Sequence, residues 1–525
     1  MNKAKNSRWY CFILSSILFF CFCSSFSPAD NESSRLDKTV KLSPKKGNTY
    51  QMLRYLSERY DCMFIYDSRT VENNNKAEIK RGNYSLREAI YLVTGNRQLI
   101  LDGIGCYISI RLPEKEKIVS PKEIQEPQDD RVQIRGNIRD KETNEAVSYC
   151  TVSVVNSAVN TVTNHEGDFL LSLHDSLRHS IIRLSHVAYR SMDIAANDLI
   201  GQSAILTLEP EVIMLPEVSV QSVDAKNVLQ EYFKNRFKNY PKIPVYMDLF
   251  YREGIEQEKG STELVEAVFK MYKAPYSFTN SNAFYDFNPT EMVKLEKMRS
   301  MVSEEKQKFI NFKLKSGVQS LFQLDIVKYA PDFLDPHHYS MYDYSYTGTT
   351  FVDEQRLYVI SFQPASGVKE PLYKGDLYID AESYALVMAR FEVYSKQIKE
   401  AGKMFVLKND KSINMTLMGA VYTVLYRKFD GIYYLNYIRV DINFSAKKKM
   451  SFSGRNIHSW IEMVCTSIDT TEVKAFERSE RLPVRSVFSE TRYVYDISFW
   501  DNYIIIPPEE RFLGLIHSSE IEMNN

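Results

Sequence analysis

Apolar and polar residues alternate in short runs between Val132 and Val220. The first run places apolar or small residues at every second position, namely Val132, Ile134, Gly136 and Ile138. Turn-forming residues interrupt the alternation at Asp140–Asn144 and again at Asn164–Gly167. Period-two alternation between turns is typical of half-buried strands, so this segment predicts a seven-stranded-type β-sandwich over residues 131–222.

Residues 37–112 combine strand-like alternation with helical stripes, in which apolar residues lie three or four positions apart. Ser85 precedes an apolar helical stripe, and Glu88 stands three residues later, which predicts a capping box at a helix start; Gly95 is expected to end that helix. The predicted helical stripes are Met52, Leu53 and Leu56, then Leu86, Ala89, Ile90 and Val93; the predicted strands are Val40–Leu42, Cys62–Tyr66, Gln98–Leu101 and Tyr107–Ile110. The pattern predicts a small α+β domain.

The C-terminal region, residues 225–525, is rich in strand patterns. It opens with a predicted helix, Ala225–Phe237, and continues with the predicted strands Tyr246–Glu253, Leu264–Tyr272, Leu357–Phe362, Gly375–Ile379, Leu386–Tyr394, Met415–Tyr426, Tyr433–Phe444 and Ile461–Asp469. We expect one large antiparallel sheet or half-barrel. Glu291–Lys315 carries charges of both signs among apolar residues and predicts a solvated amphipathic helix, with a partner-docking helix as the alternative.

The N-terminus predicts export. Lys3, Lys5 and Arg8 precede an apolar run, Trp9–Phe26, and the best small-x-small site places signal-peptide cleavage after Ala29. The alternative is a lipoprotein acylated at Cys21 or Cys23, although Phe precedes both. Residues 113–130 are rich in Glu, Lys, Gln and Pro and predict a linker. Together the segments predict an exported, multidomain, mostly β protein.

The alternating segment resembles the carboxypeptidase-regulatory-like (transthyretin-like) module found at the N-terminus of many TonB-dependent receptors of Bacteroidota. The residues that carry this resemblance are Phe169 after the Glu-Gly turn and the terminal Leu215, Glu217, Val218 and Val220. Such modules are not peptidases. Together with the predicted export, the resemblance implies a location in the periplasm or at the periplasmic face of the outer membrane. The preceding domain resembles the STN domain through Phe64–Tyr66, Ser85–Ile90 and the hairpin Leu99–Ile110. The expected continuation of a receptor, a plug and a barrel, is not found in this sequence.

A further resemblance concerns the hairpin formed by Tyr373–Asp380 and Glu382–Val387. It is similar to the repeated hairpins of LolA-like folds, in which a curved sheet holds a hydrophobic ligand. The resemblance implies that Gly375–Tyr394 and Met415–Phe444 line a binding hollow.

Composition narrows the function classes. The 66 Lys and Arg residues nearly balance the 67 Asp and Glu residues, giving a net charge of −1, which argues against a nucleic-acid partner. Three of the seven Cys lie in the predicted signal peptide, and the other four are Cys62, Cys106, Cys150 and Cys465. They form no zinc pattern. Cys62 and Cys106 are expected to be buried thiols, with a disulfide between them as the alternative.

No residue is predicted to be catalytic, cofactor-binding or metal-binding. The tightest group of ligand types, Asp332, Asp335, His337 and His338, is predicted to be a solvated loop because neighbouring histidines diverge on a strand. His165 and Glu166 are explained by turn formation, and Asp376, Asp380 and Glu382 are interpreted as turn and edge residues. Established catalytic and nucleotide-binding motifs do not occur.

The sequence therefore predicts a non-enzymatic envelope accessory protein with a docking or regulatory role. By analogy with the receptors, its partner would be an anti-sigma factor or a component of the TonB system. The alternative is a carrier of a lipid or another hydrophobic ligand in the C-terminal domain. A hydrolase with an unfamiliar site is the third hypothesis.

Export gives the first test. N-terminal sequencing of the protein recovered from the envelope is expected to begin near Asp30, because the charged start and apolar run direct cleavage after Ala29. An intact Met1 on protein found in the cytoplasm would contradict the prediction.

Overall fold

The computed structural model describes residues 36–60, 62–66, 71, 75–104, 107–111, 131–211, 223–258, 262–277, 290–302, 312–314, 322–402, 406–409, 413–448, 454–482 and 503–512. The predicted signal peptide, both candidate acylation sites and the predicted linker lie outside these residues. The chain divides into two compact units, residues 1–121 and 122–525. None of the described helices has the length and apolar character needed to cross a bilayer.

The N-terminal unit is a two-helix α+β fold. Ser85 caps the second helix, its hydroxyl accepting from the Glu88 amide while the Glu88 carboxylate accepts from the Ser85 amide, so the predicted capping box is confirmed. Gly95 ends this helix in the left-handed conformation. The elements are β1 (Thr39–Leu42), β2 (Lys45–Asn48), α1 (Thr49–Tyr60), β3 (Met63–Tyr66), β4 (Lys76–Ile79), β5 (Gly82–Ser85), α2 (Leu86–Thr94), β6 (Ile100–Ile104) and β7 (Tyr107–Arg111). They form the pairs β1–β5 and β2–β4 and the three-stranded sheet β3-β7-β6.

The second unit begins with the predicted β-sandwich. Its strands are β8 (Arg131–Asp140), β9 (Thr151–Val154), β10 (Asn160–Val162), β11 (Asp168–His174), β12 (Ile181–His186), β13 (Tyr189–Ala195) and β14 (Ser203–Leu208). One sheet has the order β10-β9-β12-β13 and the other β11-β8-β14. The inward residues include Ile134, Ile138, Val152 and Phe169, so the alternation seen in the sequence marks the core.

The C-terminal region forms one open ten-stranded antiparallel sheet, as the strand density predicts. It follows the helix α3 (Ala225–Asn239). The remaining elements are β15 (Val245–Gln257), β16 (Thr262–Lys273), β17 (Met292–Val302), β18 (Phe312–Leu314), β19 (Tyr342–Val352), β20 (Gln355–Pro364), β21 (Tyr373–Asp380), β22 (Leu386–Val393), α4 (Ile398–Ala401), β23 (Val406–Asn409), β24 (Ile413–Phe429), β25 (Ile432–Lys448) and β26 (Arg455–Asp469). The order in the large sheet is β17-β16-β15-β26-β25-β24-β22-β21-β20-β19, and β18 pairs with β23.

The predicted helix over Glu291–Lys315 is wrong. Its described part contains the strands β17 and β18 instead, and β17 pairs with β16 along its whole length. A bulge explains the error. Phe269 pairs with Leu295 and Val268 with Lys297, so Glu296 is an extra residue that shifts the alternation of the strand. That shift imitates the spacing of a helical stripe.

The sandwich packs directly on one face of the large sheet. Val162 of β10 belongs to one core cluster with Phe250, Leu425, Tyr437 and Val464 of the sheet. Polar contacts cross the same boundary: the Asn160 side chain donates to the carbonyl of Cys465 at 2.9 Å, and that of Asn436 donates to the Thr151 hydroxyl at 3.1 Å. The two domains are therefore joined by a packed interface.

Residues 503–512 run across this interface. Ile505 and Ile506 belong to the same apolar cluster. The Arg252 guanidinium, on β15, donates to the carbonyls of Ile506 at 2.6 Å and Pro507 at 3.2 Å. From the sandwich, the Asn164 side chain donates to the same Pro507 carbonyl at 3.3 Å. This C-terminal segment thus contacts the sandwich and the sheet at once.

Arg252 also anchors a buried charge network. Its side chain is 3% exposed and pairs with Glu266 at 2.6 Å and Glu462 at 3.3 Å. Arg299 also pairs with Glu266, and Arg439 lies 3.8 Å from Glu462. Burial alone would raise the pKa of Glu266, but the Arg299 and Arg252 charges together hold that pKa below its usual value. Three buried arginines therefore depend on closely placed carboxylates.

We predict that Arg252→Met lowers the free energy of unfolding by about 3–5 kcal/mol, because it removes one member of a buried, hydrogen-bonded ion network. Urea unfolding of the full chain measures the change. Lys374→Met is the matched control, since Lys374 forms an exposed ion pair with Glu392 and its loss should cost about 0–1 kcal/mol. Equal effects of the two substitutions would contradict the structural role of Arg252.

Candidate functional site

A cleft of about 440 Å³ lies between the sandwich and the large sheet. Strands β9 and β12 of the sandwich form one wall, and the β19–β20 hairpin with the end of β24 forms the other. Lys428 and Asp430 are exposed at its rim. Valine, leucine and aromatic side chains share the lining with polar residues, which include Thr151, Ser153, Asn156, Ser157, Arg183, Ser185, His186, Asp353, Gln355 and Arg427.

Arg427 is the main cation on the sheet side of the cleft. Its guanidinium donates to two backbone carbonyls at the turn between β9 and β10, those of Ser157 at 3.3 Å and Ala158 at 2.9 Å. Burial lowers the pKa of Arg427, while Cys465 and Asp353 act in the opposite direction. Within the described residues Arg427 forms no ion pair with a carboxylate, so its direct hydrogen-bond partners are carbonyl dipoles.

Asp353 stands at the tip of the β19–β20 hairpin. Asp353 and Glu354 have φ values of 47° and 64°, the geometry of a tight hairpin turn that Asp tolerates. Its Oδ1 accepts from the Ser185 hydroxyl at 2.6 Å and the Ser191 hydroxyl at 2.7 Å. These two serines belong to β12 and β13, so the hairpin tip is fixed against the sandwich.

The sandwich wall presents hydroxyl groups. On β9, Val152 and Val154 point into the sandwich core, so the alternating Thr151 and Ser153 face the large sheet. The Thr151 hydroxyl accepts from Asn436, whereas the Ser153 hydroxyl has no hydrogen-bond partner among the described residues. Ser153 is nevertheless buried and lines the cleft.

Two more side chains complete the sandwich wall. Arg183 forms a two-pronged ion pair with Asp193, with distances of 2.7 and 2.6 Å, which neutralises its charge. His186 accepts through Nδ1 from the Ala188 amide at 3.1 Å, and burial lowers the pKa of His186 to about 4. It is therefore neutral near pH 7. Its ring packs edge-on against Tyr189 at 5.2 Å.

Two buried thiols, those of Cys150 and Cys465, lie near the cleft. Cys150 and Cys465 are buried, and this burial raises the pKa of each thiol, to about 12 for Cys465. Neither is poised as a thiolate nucleophile. Cys62 is also buried, but Cys106 lies outside the described residues, so the disulfide alternative stays a prediction.

The sequence cluster of Asp and His residues lies in and between two short 3₁₀ helices rather than in an irregular loop. These helices are Asp332–Leu334 and Pro336–Met341. Between the side chains of the cluster, His338 Nδ1 lies 3.1 Å from Asp335 Oδ2. In the part of the chain that the structure describes, no three His, Cys, Asp or Glu side chains are grouped to hold a metal ion.

Most of the other residues that the sequence assigns to turns or edges do lie in turns. His165 and Glu166 lie in the turn before β11, where Asn164 accepts from the Glu166 amide at 2.9 Å. Asp380 makes the turn after β21 by accepting from the amides of Glu382 and Ser383. Asp376, however, is not at an edge. It lies within β21, an interior strand of the large sheet, and accepts from the Ser361 hydroxyl at 2.5 Å.

The apolar face of the large sheet, expected to line a hollow, is covered by the chain itself. Leu377, Ile379, Phe391 and Val424 of the expected lining share one core cluster with α3 and with residues 322–334. Phe333 stacks on Phe362 at 4.4 Å between ring centroids and lies 4.9 Å from Phe391. The same strands line the polar cleft on the sandwich side, through Leu425, Arg427 and Tyr433.

Ion pairs hold this covering segment in place. Asp325 pairs with Lys273 and accepts from the hydroxyls of Tyr276 and Tyr426, and Lys328 lies 2.5 Å from Glu291. Burial alone would raise the pKa of Asp325, but Lys273 and the two hydroxyls lower it overall. The positive charges of Lys273 and Lys328 are balanced by Asp325 and Glu291. The cluster therefore needs no ligand to neutralise it.

Comparison with known families agrees with the sandwich geometry. Residues 134–220 match the CarboxypepD_reg-like domain family. This match confirms the carboxypeptidase-regulatory-like identification for that segment. A search of curated proteins gives no match.

Several solved structures show distant similarity. A DUF1329 family protein from Desulfovibrio piger is 11% identical, with coverage of 48% of this chain and 96% of that chain and a TM-score of 0.21. A LolA superfamily protein from Nitrosomonas europaea is 12% identical, with the same coverage and a TM-score of 0.19. A putative membrane-associated protein of unknown function from Bacteroides fragilis is 8% identical, covering 65% and 99%, with a TM-score of 0.12. At these TM-scores the similarities support no conclusion about the ligand.

Sequence reasoning missed the cleft. Asp353 sits in a short Asp-Glu turn between two strand patterns, which signals a hairpin but not its contact with Ser185 and Ser191. Arg427 carries no local signal at all, because its contacts with the β9–β10 turn exist only after the sandwich packs on the sheet.

His186 provides a test of this geometry through pH. Its folded pKa of about 4 lies below the ordinary value of 6.5, so between these values the unfolded chain binds a proton that the folded chain excludes. The free energy of unfolding is therefore expected to decrease as pH falls from about 6.5 to about 4. Urea midpoints across this range measure the decrease.

The comparison of two variants isolates His186 from other titrating groups. His186→Asn keeps an acceptor for the Ala188 amide and should reduce the pH dependence in this window, whereas His179→Asn, at an exposed position, should leave it unchanged. An unchanged pH dependence in His186→Asn would show that His186 is accessible to protons in the folded protein.

Proposed function

We propose that this chain is a non-enzymatic accessory protein of the bacterial envelope with a docking role, and that the cleft between the sandwich and the large sheet is its binding site in the second unit. The observation that carries the proposal is the construction of that cleft. Two domains fixed to each other enclose charged and hydroxyl groups that their own contacts leave partly unpaired. Convergent polar groups in a preformed cleft are typical of ligand and partner sites.

The chemistry of the cleft supports binding rather than catalysis. A hydrolytic nucleophile needs a base within hydrogen-bonding distance. The Ser185 hydroxyl donates to the Asp353 carboxylate, and His186 uses Nδ1 to accept from a backbone amide. No hydroxyl in the described cleft lining is hydrogen-bonded to a histidine. Serine, histidine and aspartate are therefore present without the arrangement that activates a nucleophile.

The N-terminal unit is proposed to be an STN-like docking domain. Its support is the two-helix α+β architecture, the confirmed capping box at Ser85 and its position before a CarboxypepD_reg-like domain. By analogy with receptors that contain this pair of domains, the partner is the periplasmic part of an anti-sigma factor or a component of the TonB system. The periplasmic location follows from the predicted signal peptide.

A carrier of lipid or another hydrophobic ligand is the alternative. The aromatic face of the large sheet offers suitable chemistry, but Phe333 and its neighbours occupy that face. A ligand there would have to displace packed side chains and the ion pairs of Asp325 and Lys328. The geometry therefore supports docking better than carriage.

Crosslinking and native mass spectrometry of the full chain recovered from its own envelope distinguish the two functions. We expect a protein partner crosslinked within residues 36–111, whether or not a lipid headgroup also occupies the cleft. A stoichiometric lipid adduct without a protein crosslink would contradict the docking proposal and favour the carrier.

The variant Phe333→Ala gives a second test that distinguishes docking from lipid carriage. It should destabilise the fold by about 3–5 kcal/mol by leaving a cavity in the core, without changing the crosslinked partner. An increase in bound lipid in this variant, above a wild type that already binds lipid, would be the signature of a carrier.

A further inference from the structure

Two opposite charges in the cleft lack ionic partners. Arg427 and Asp353 both line it, and within the described residues neither forms an ion pair. They are close enough for the Asp353 charge to stabilise the Arg427 cation, but they make no direct contact. Lys428 and Asp430 also line the cleft but are exposed at its rim, whereas Arg427 and Asp353 are partly buried. A ligand that carries both charges matches this inner pair.

Arg427 retains donors for an anion. A guanidinium has five N–H groups, and those of Arg427 reach only the Ser157 and Ala158 carbonyls within the described chain. Backbone carbonyls satisfy donors without neutralising the charge. A carboxylate or phosphate would supply the missing counter-charge and a charge-assisted hydrogen bond.

Ser153 adds a second donor on the facing wall. Its side chain points away from the sandwich core, toward the sheet, and is 7% exposed. Its hydroxyl makes no hydrogen bond within the described residues. A hydroxyl of a largely buried residue that lines a cleft and lacks a protein partner is available to a bound group or to water.

Asp353 supplies the acceptor. Both serine hydroxyls donate to its Oδ1, and Oδ2 accepts no hydrogen bond from the described residues. Since the hairpin turn and the sandwich hold the carboxylate in place, Oδ2 is a preorganised acceptor for an ammonium group. The same carboxylate would disfavour a ligand that is only an anion.

We propose that the cleft binds a compact zwitterion, with its anionic group on Arg427 and Ser153 and its ammonium group on Asp353. This inference rests on the proposed function, because it treats the cleft as a binding site. The ligand chemistry is that of an amino group a few atoms from a phosphate or carboxylate. Phosphoethanolamine has this chemistry, either as a free compound or as a lipid headgroup at the rim of the cleft.

Isothermal titration calorimetry of the full chain with O-phosphoethanolamine tests the proposal. Binding is expected to be about tenfold or more tighter than that of inorganic phosphate or ethanolamine alone, because each single ion leaves one protein charge unpaired. Equal affinity for inorganic phosphate, or no detectable binding of phosphoethanolamine, would overturn it.

Variants locate the site. Asp353→Asn keeps an oxygen that accepts from Ser185 and Ser191 but removes the charge, and Ser153→Ala removes a hydroxyl without a partner in the described chain. The first is expected to weaken phosphoethanolamine binding about tenfold or more and the second about threefold to tenfold. Lys374→Met, which removes an exposed lysine outside the cleft lining, is the control and should change affinity by less than about threefold. Arg427→Met should abolish binding, and its thermal unfolding is measured in parallel because Arg427 also contacts the sandwich turn.

Vesicles separate the two sources of the ligand. Retention on phosphatidylethanolamine vesicles but not on phosphatidylglycerol vesicles, with loss on Asp353→Asn, would support a lipid headgroup; binding only to free phosphoethanolamine would support a soluble ligand. If wild type and Asp353→Asn bind free phosphoethanolamine and both kinds of vesicle equally, the zwitterion proposal fails. Recovery of the protein partner crosslinked to residues 36–111 would then leave the docking function standing.

Discussion

Arg252 joins the parts of the second unit. It lies on β15, pairs with carboxylates on the two flanking strands, and donates to two carbonyls of the C-terminal segment that also contacts the sandwich. A buried arginine is tolerated only where its charge and donors are met, so the strands, the segment and the sandwich must assemble together. The cleft depends on this assembly, because one of its walls belongs to each domain.

The two faces of the large sheet consequently have different roles. One face packs against α3 and the segment that carries Phe333. The other face receives the sandwich, partly through apolar contacts around Tyr437 and partly through polar contacts. Where the polar part ends, Arg427, Asp353 and Ser153 remain with unused hydrogen-bonding capacity. That capacity is the physical basis of the proposed binding function.

The sequence predicts local structure well where local chemistry decides it. Ser85 with Glu88 defines a helix start, and the alternation around Val152 identifies which side chains enter the sandwich core. It fails at Glu296, where one extra residue in β17 imitates a helical spacing and only pairing with β16 reveals a strand. The cleft could not be predicted, because Arg427 and Ser153 line it from two domains whose packing no local pattern encodes.

The central claim is that the sandwich and the large sheet form one cooperative unit. Hydrogen exchange with mass spectrometry at increasing urea concentrations measures it on the full chain, by following peptides from β9–β13 and from β24–β26 separately. If the interface and the Arg252 network couple the two domains, both sets of peptides lose protection at the same urea midpoint. Loss of protection in the sandwich at clearly lower urea, with the sheet still protected, would contradict the account.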